Sequence, residues 1–147
     1  MKDYVFDANA ILRYFRVVDA EGGDKVQELF ERSKQGEAHL LISVINFGEV
    51  YYILLKLAGE RAAREYVKTL QHLVTIIDAD QPATIEATTF KHAHKIGFAD
   101  SFAASLAISR KATLVSADPA FEKFGKSLKW LKLPPYTSHA RTRSRHT

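Results

Sequence analysis

Apolar residues along this chain occur in two alternating patterns. Short, mainly apolar runs at residues 4–6, 40–43, 74–77 and 113–116 predict strands. Longer segments separate them, and the spacing of Val26, Leu29 and Phe30 is that of one helix face. Strands that alternate with helices are typical of an α/β domain with a parallel sheet. Residues 128–131 could add an edge strand, so we expect about four to five strands.

The same pattern places the helices. We predict them at residues 9–15, around 26–30, and at 44–58, 60–73, 81–95 and 99–110, with a polar loop at 19–23. Gly59 separates the third from the fourth, which predicts a helical hairpin whose two arms pack on each other. Asp118 followed by Pro119 predicts the start of one more short helix.

Composition limits the class of protein. A chain of 147 residues, 46% hydrophobic and 26% charged, is typical of one soluble globular domain. No apolar run approaches the roughly 18 residues of a membrane helix, and no signal-peptide pattern precedes the first strand. Cysteine is absent, which favours a reducing, cytoplasmic location. The net charge of +4 favours polyanionic partners. We expect a domain over residues 1–133 and a basic, disordered tail over 134–147.

Three aspartates lie near the ends of predicted strands. Asp7 directly follows the first strand, Asp118 follows the strand at 113–116, and Asp100 begins the helix before that strand. Ligands of open parallel sheets bind outside the carboxyl ends of the strands, so we expect these side chains at one edge. Each also has a purely structural interpretation: Asp7 and Asp118 as helix N-caps, and Asp100 as a partner of a helix dipole.

Glu49 is harder to explain structurally. It lies within the apolar segment "VINFGEVYYILL", and we therefore expect it to be buried. An unpaired buried carboxylate costs several kcal/mol, and Lys56, seven residues further on, is too far for a direct pair on one helix. A metal ion shared with the aspartates is the more economical explanation. Oxygen ligands without nearby Cys or His suit Mg²⁺ or Mn²⁺, and the spacing of His92 and His94 argues against zinc.

Four motifs in order resemble the PIN domain family, and in particular VapC-type toxin ribonucleases of toxin–antitoxin pairs. They are "VFDANAIL", "LISVINFGEVYYIL", "GFADSFAASLA" and "LVSADPAF", and together they span residues 4–121. The resemblance implies a three-layer α/β/α fold around the parallel sheet. The family's acidic site maps to Asp7, Glu49, Asp100 and Asp118, and its polar helpers map to Asn9, Ser43 and Ser116.

The resemblance also implies an activity and partners. It implies an endoribonuclease that uses one or two Mg²⁺ or Mn²⁺ ions and leaves a 5′-phosphate and a 3′-hydroxyl. It implies a homodimer and a small VapB-like antitoxin whose tail enters the active-site groove. Ala8 departs from the Thr or Ser of many relatives, which removes a minor hydroxyl contact. Arg13, Arg16, Lys91 and Lys95 are candidates for contacts with RNA phosphates, although solvated helix faces explain each of them equally well.

Two other functions fit part of the sequence. A haloacid-dehalogenase-like phosphatase would use Asp7 as nucleophile, but it would need a second Asp where this chain has Asn9, and it leaves Glu49 unexplained. Lys123 or Lys126 could supply the lysine that such an enzyme needs. A non-catalytic PIN-like module that binds RNA or protein would not need all four carboxylates.

Overall fold

The chain forms a five-stranded, all-parallel sheet in a computed structural model that describes residues 1–18 and 21–135. The strands are β1 (Lys2–Phe6), β2 (Ala38–Ser43), β3 (Thr75–Ile77), β4 (Thr113–Ser116) and β5 (Lys129–Lys132), in the order β3-β2-β1-β4-β5. The helices are α1 (Ala8–Tyr14), α2 (Gly23–Lys34), α3 (Val44–Leu73), α4 (Gln81–His94) and α5 (Phe98–Ser109), and a 3₁₀ segment (Pro119–Ser127) follows β4. The predicted α/β class and strand count are confirmed. The predicted tail lies almost wholly outside the described residues, so its disorder stays a prediction.

The sheet is buried on both faces, which makes three layers. Successive residues of a strand point to opposite faces. Val5 belongs to the apolar cluster beneath α5, whereas Phe6 belongs to the cluster formed with α1, α2 and α3, and both are 0% exposed. Leu41 and Ile42 in β2 divide in the same way. This arrangement explains why the strands read as continuous apolar runs. Within the described residues, no helix has the length and hydrophobicity of a membrane-spanning segment.

Helix α3 is a hairpin of two helical arms. A straight helix of its 30 residues would be about 45 Å long. Yet α3 begins directly after β2 and ends next to β3, and these strands are neighbours in which Ser43 pairs with Ile77. The chain must therefore reverse, and it does so at Gly59, where φ is 84° and ψ is 167°. Val50 and Ala63, one from each arm, are both 0% exposed in the same cluster, which confirms the predicted hairpin.

We predict opposite effects for alanine at two glycines of α3. A Cβ at either Gly59 or Gly48 would meet nothing within 4 Å, so the two sites differ in backbone conformation rather than in space. Gly59→Ala should cost about 1–3 kcal/mol because an L-residue is strained at that φ and ψ. Gly48→Ala should stabilise by up to about 1 kcal/mol, as usual within a helix. Urea unfolding measures both. Equal stability of Gly59→Ala and the parent would contradict a reversal that depends on this glycine.

Candidate active site

Asp7 lies at the carboxyl end of β1 and is held by two hydrogen bonds. Its side chain is only 5% exposed. Oδ1 accepts a hydrogen bond from the backbone N–H of Ala10 at 2.9 Å, and Oδ2 accepts one from the hydroxyl of Ser116. The first bond is the N-cap of α1 that the structural interpretation predicts. Asp7 therefore caps a helix and faces the sheet edge at the same time.

Ser116 connects Asp7 to Asp118. Strands β1 and β4 are neighbours, with Phe6 opposite Val115, so residues that follow them lie at the same edge. The buried Ser116 hydroxyl donates to Asp7 and accepts from the backbone N–H of Asp118 at 3.0 Å. The Asp118 carboxylate in turn caps the 3₁₀ segment by accepting from the Ala120 N–H at 2.9 Å. The structure thus places the predicted helper Ser116 between the two aspartates.

Asp100 reaches the same place from the first turn of α5. Its carboxyl group is close enough to Asp118 for that residue to raise the pKa of Asp100. It also packs closely over Gly97, where a Cβ would stand 3.0 Å from Asp100 Oδ2. The absence of a side chain at residue 97 therefore leaves room for the Asp100 carboxylate.

Glu49 lines the same groove as the aspartates, but the prediction that it is buried was wrong. Its side chain is exposed. Val50 and Leu54 carry the core face of α3 and are 0% exposed, whereas Glu49 and Ile53 lie on a neighbouring face that opens onto a groove. An apolar local sequence does not show which of its positions faces a groove. The groove measures about 680 Å³, and Asp7, Glu49, Asp100 and Asp118 all line it.

The other two predicted helpers behave differently from each other. Asn9 lines the groove, although its Oδ1 already accepts a hydrogen bond from Arg13 Nε at 2.7 Å. The structure does not bring Ser43 to the groove. Ser43 caps α3 by accepting from the N–H of Ile45 at 3.2 Å, and it lines a separate groove with Glu86. Its hydroxyl therefore supports the fold rather than the acidic cluster.

None of the four basic residues suggested for RNA binding lines the groove, although Arg13 bonds to the groove residue Asn9. Arg13 is only 1% exposed, and its guanidinium donates to the backbone carbonyls of Glu21, at 2.5 Å, and of Pro134. Arg16 is exposed and pairs with Asp24 at 3.2 Å.

Lys91 and Lys95 are exposed on the surface and do not line the groove. Lys56 from α3 and Lys132 from the end of β5 do line it. Lys56 could have been found from the sequence, because it lies two helical turns after Glu49 on the same face. Lys132 could not have been found from the sequence, because only the order of the strands in the sheet brings it to the groove.

The pKa values of Asp7, Asp100 and Glu49 are raised above their ordinary values. Burial raises the pKa of Asp7 to about 6, further raised by the charges of Asp118 and Glu49, although hydrogen bonds from Ser116 and Ala10 oppose the rise. Burial, followed by the charges of Asp118 and Asp7, raises the pKa of Asp100 to about 7. Desolvation within the groove also raises the pKa of Glu49. Negative charge is therefore crowded in this groove.

The chemistry of the donors fits a hard divalent cation. All four acidic side chains offer oxygen, the ligand that Mg²⁺ and Mn²⁺ prefer. A cation would also replace repulsion between the carboxylates by attraction. Over residues 1–18 and 21–135, however, no three acidic or histidine side chains converge closely enough to hold one ion as they stand. The donor set therefore fits such an ion, and the side chains would have to close around it.

The protein is an open parallel α/β domain with an acidic groove outside the carboxyl ends of its strands, the position at which such sheets bind their ligands. The family model described as "PIN domain" matches residues 4–127, and the chain belongs to that family. No curated protein matches the chain.

Solved structures with the same fold include several toxin–antitoxin proteins. One is VapBC2 from Rickettsia felis bound to a DNA fragment from their promoter, with 20% identity and a TM-score of 0.69 over 89% of this chain and 98% of that chain. DNA-bound VapBC from Salmonella typhimurium has 18% identity and a TM-score of 0.71 over 90% and 98%. Mycobacterium tuberculosis VapC20, described as a sarcin-ricin loop cleaving toxin, has 17% identity and a TM-score of 0.62 over 90% and 99%.

Without metal, the protein should lose stability as pH rises from about 4 to about 7. A carboxyl group whose folded-state pKa lies above its unfolded value binds more protons in the folded state across that window, so deprotonation favours unfolding. For Asp7, a rise from 3.8 to about 6 corresponds to roughly 3 kcal/mol at most. Urea unfolding in EDTA at pH 5 and pH 8 measures the difference.

Asp7→Asn should flatten this dependence, because it removes the charge and keeps an acceptor for the Ala10 N–H. The matched control is Asp24→Asn, which changes an exposed aspartate outside the groove and should keep the parental slope. An Asp7→Asn profile as steep as that of the parent would show that the pH dependence arises elsewhere.

Proposed function

We propose that this chain is a VapC-type toxin, an endoribonuclease that cleaves RNA with the help of one or two Mg²⁺ or Mn²⁺ ions. The products would be a 5′-phosphate and a 3′-hydroxyl. The observation that carries the proposal is the convergence of four carboxylates, from four separate elements, on one groove. Membership of the PIN family and a fold shared with toxin–antitoxin proteins support it.

The four carboxylates hold the cation as two pairs. Asp7 and Asp118 are pinned by helix-capping bonds and by Ser116, so they form the fixed side of the site. Asp100 and Glu49 come from α5 and α3 and complete the donor set. When bound, the cation lowers the pKa of water and screens the phosphodiester charge. The protein holds these oxygens in place and aligns the substrate with them.

RNA must approach an acidic groove, and two lysines offset the repulsion. The Lys56 ammonium lies 5.4 Å from the ring centroid of Tyr52. The Lys132 ammonium lies 5.3 Å from the ring of Trp130 and 3.3 Å from Glu122 Oε1. We propose that these lysines contact the phosphates on either side of the scissile bond. Apolar groove residues such as Ile53 and Leu57 would receive unstacked bases, which favours single-stranded loops of structured RNA.

We also propose a VapB-like antitoxin and a second copy of this chain as partners. Support comes from the toxin–antitoxin complexes among the proteins of the same fold. Large apolar side chains that are open to solvent and available to such partners include Tyr52 at 60%, Ile85 at 61% and Phe98 at 51% exposure.

The phosphatase alternative has little support in the groove. Asn9 stands where that enzyme needs a second aspartate, and its Oδ1 accepts a bond from Arg13. Both oxygens of Asp7 already accept hydrogen bonds, which lowers its reactivity as a nucleophile. Lys123 does not line the groove, and its ammonium donates to the carbonyl of Lys95 at 3.3 Å.

Asp100→Asn tests the proposed reaction. In Mg²⁺ it should lower RNA cleavage by orders of magnitude, because the site is deprived of a ligand. In EDTA its melting temperature should equal or exceed that of the parent, because one of several repelling charges is gone. Two thermal scans and a gel assay of labelled RNA measure these effects.

Asp78→Asn is the matched control, since Asp78 also follows a strand but lines the other groove. It should leave both cleavage and melting in EDTA close to parental values. Cleavage by the parent that persists in excess EDTA would refute the metal mechanism.

Paired lysine variants test whether RNA binds along the groove through Lys56 and Lys132. On an Asp100→Asn background, which prevents cleavage, Lys56→Gln with Lys132→Gln should weaken binding of single-stranded RNA. The slope of log K against log salt should fall by about 0.7 for each phosphate that a lysine no longer neutralises. Lys91→Gln with Lys95→Gln removes the same charge outside the groove and should leave the slope near the parental value. If the α4 pair lowered the slope and the groove pair did not, RNA would bind along α4 instead of along the groove. Fluorescence anisotropy at several salt concentrations decides between them.

A further inference from the structure

Asn46 is a buried amide between two helices that carry site carboxylates. It lies in the first turn of α3 and is 0% exposed. Its Nδ2 donates to the backbone carbonyl of Ala99 in α5 at 3.1 Å. Its Oδ1 has no hydrogen-bond partner among the described residues. A buried polar atom without a partner destabilises the folded state.

The bond joins the two helices next to the groove. Ala99 directly precedes Asp100, and Asn46 lies three residues before Glu49, which is a rise of about 4.5 Å along the helix. One side chain therefore links the backbone beside one site carboxylate to the helical turn that carries another.

Stability alone does not account for this link. Ala99 lies inside α5, where its carbonyl accepts an intrahelical bond four residues on, so it would not be orphaned without Asn46. The Asn46 amide is a second donor to the Ala99 carbonyl, which already accepts a bond within the helix. Its own Oδ1 has no hydrogen-bond partner among the described residues. An apolar side chain of similar size at residue 46 would pack against Val50 and the rest of the core without that penalty.

We propose that Asn46 is a positioning residue that fixes the separation of Glu49 from Asp100, so that both carboxylates reach the same bound cation. This inference rests on the proposed function, because it assigns Asn46 a role in that metal site. The benefit of the fixed spacing lies in metal binding and not in the stability of the metal-free fold.

Asn46→Leu and Asn46→Ala test the proposal, and the readout is Mn²⁺ affinity measured by titration calorimetry. Both variants should bind Mn²⁺ at least ten-fold more weakly than the parent. Asn46→Leu should melt in EDTA at the parental temperature or above it. Because the defect lies in metal affinity, a large excess of Mn²⁺ should restore most of the RNA cleavage. Asn46→Ala serves as the smaller substitution if leucine perturbs folding.

Ser101→Ala is the matched control. Its side chain is also fully buried, and its hydroxyl donates to the backbone carbonyl of Phe98 at 2.5 Å within α5 rather than to a group of α3. It should keep parental Mn²⁺ affinity. The inference is overturned if the Asn46 variants bind Mn²⁺ within two-fold of the parent, or if Ser101→Ala weakens Mn²⁺ binding as much as they do. A parent that binds no Mn²⁺ would instead refute the metal site itself, and this inference with it.

Discussion

The hydrogen bond from Ser116 to Asp7 is the interaction on which the groove depends. It joins the carboxyl ends of β1 and β4, the two strands that provide aspartates at the sheet edge. Because the same hydroxyl accepts from the Asp118 N–H, one buried oxygen sets the positions of both residues. The parallel pairing of the strands brings these groups together, and the hydroxyl fixes their orientation. Asp100 and Glu49 are then added from helices whose starts lie near that edge.

The crowding of carboxyl groups at this edge opposes the stability of the fold. Burial and mutual repulsion raise the pKa values of Asp7 and Asp100. Ionisation of these groups therefore lowers the free energy of unfolding. The Oδ1 of Asn46, which has no hydrogen-bond partner among the described residues, adds to this cost. The remainder of the fold offsets it through a sheet buried on both faces, in which Val5, Phe6 and Leu114 are 0% exposed. A site that needs crowded charge can exist because the core beneath it is apolar and closely packed.

Local pattern predicted the fold and the four carboxylates that line the groove, whereas tertiary contacts determined which other residues lie there. The alternation of short apolar runs and helices was enough to predict a parallel sheet, and Gly59 was enough to predict the hairpin. Asp7 could be placed because it follows a strand, whereas the exposure of Glu49 depends on the groove that α3 borders. Burial of Arg13 could not be read from the sequence, since its acceptors include the carbonyl of Pro134, far along the chain. Lys132 reaches the groove only because β5 is the outermost strand, next to β4.

Helix capping and metal binding are compatible roles for the same aspartate. A carboxylate has about four acceptor positions on two oxygens, and an N-cap uses one of them. Asp7 caps α1 through Oδ1, and Asp118 caps the 3₁₀ segment through its own Oδ1. Each cap already restricts the rotation of its side chain, so less conformational entropy is lost when an ion binds. The structural interpretation of these residues is thus part of the functional one, because the helix that each aspartate starts is what holds its carboxylate at the end of the strand.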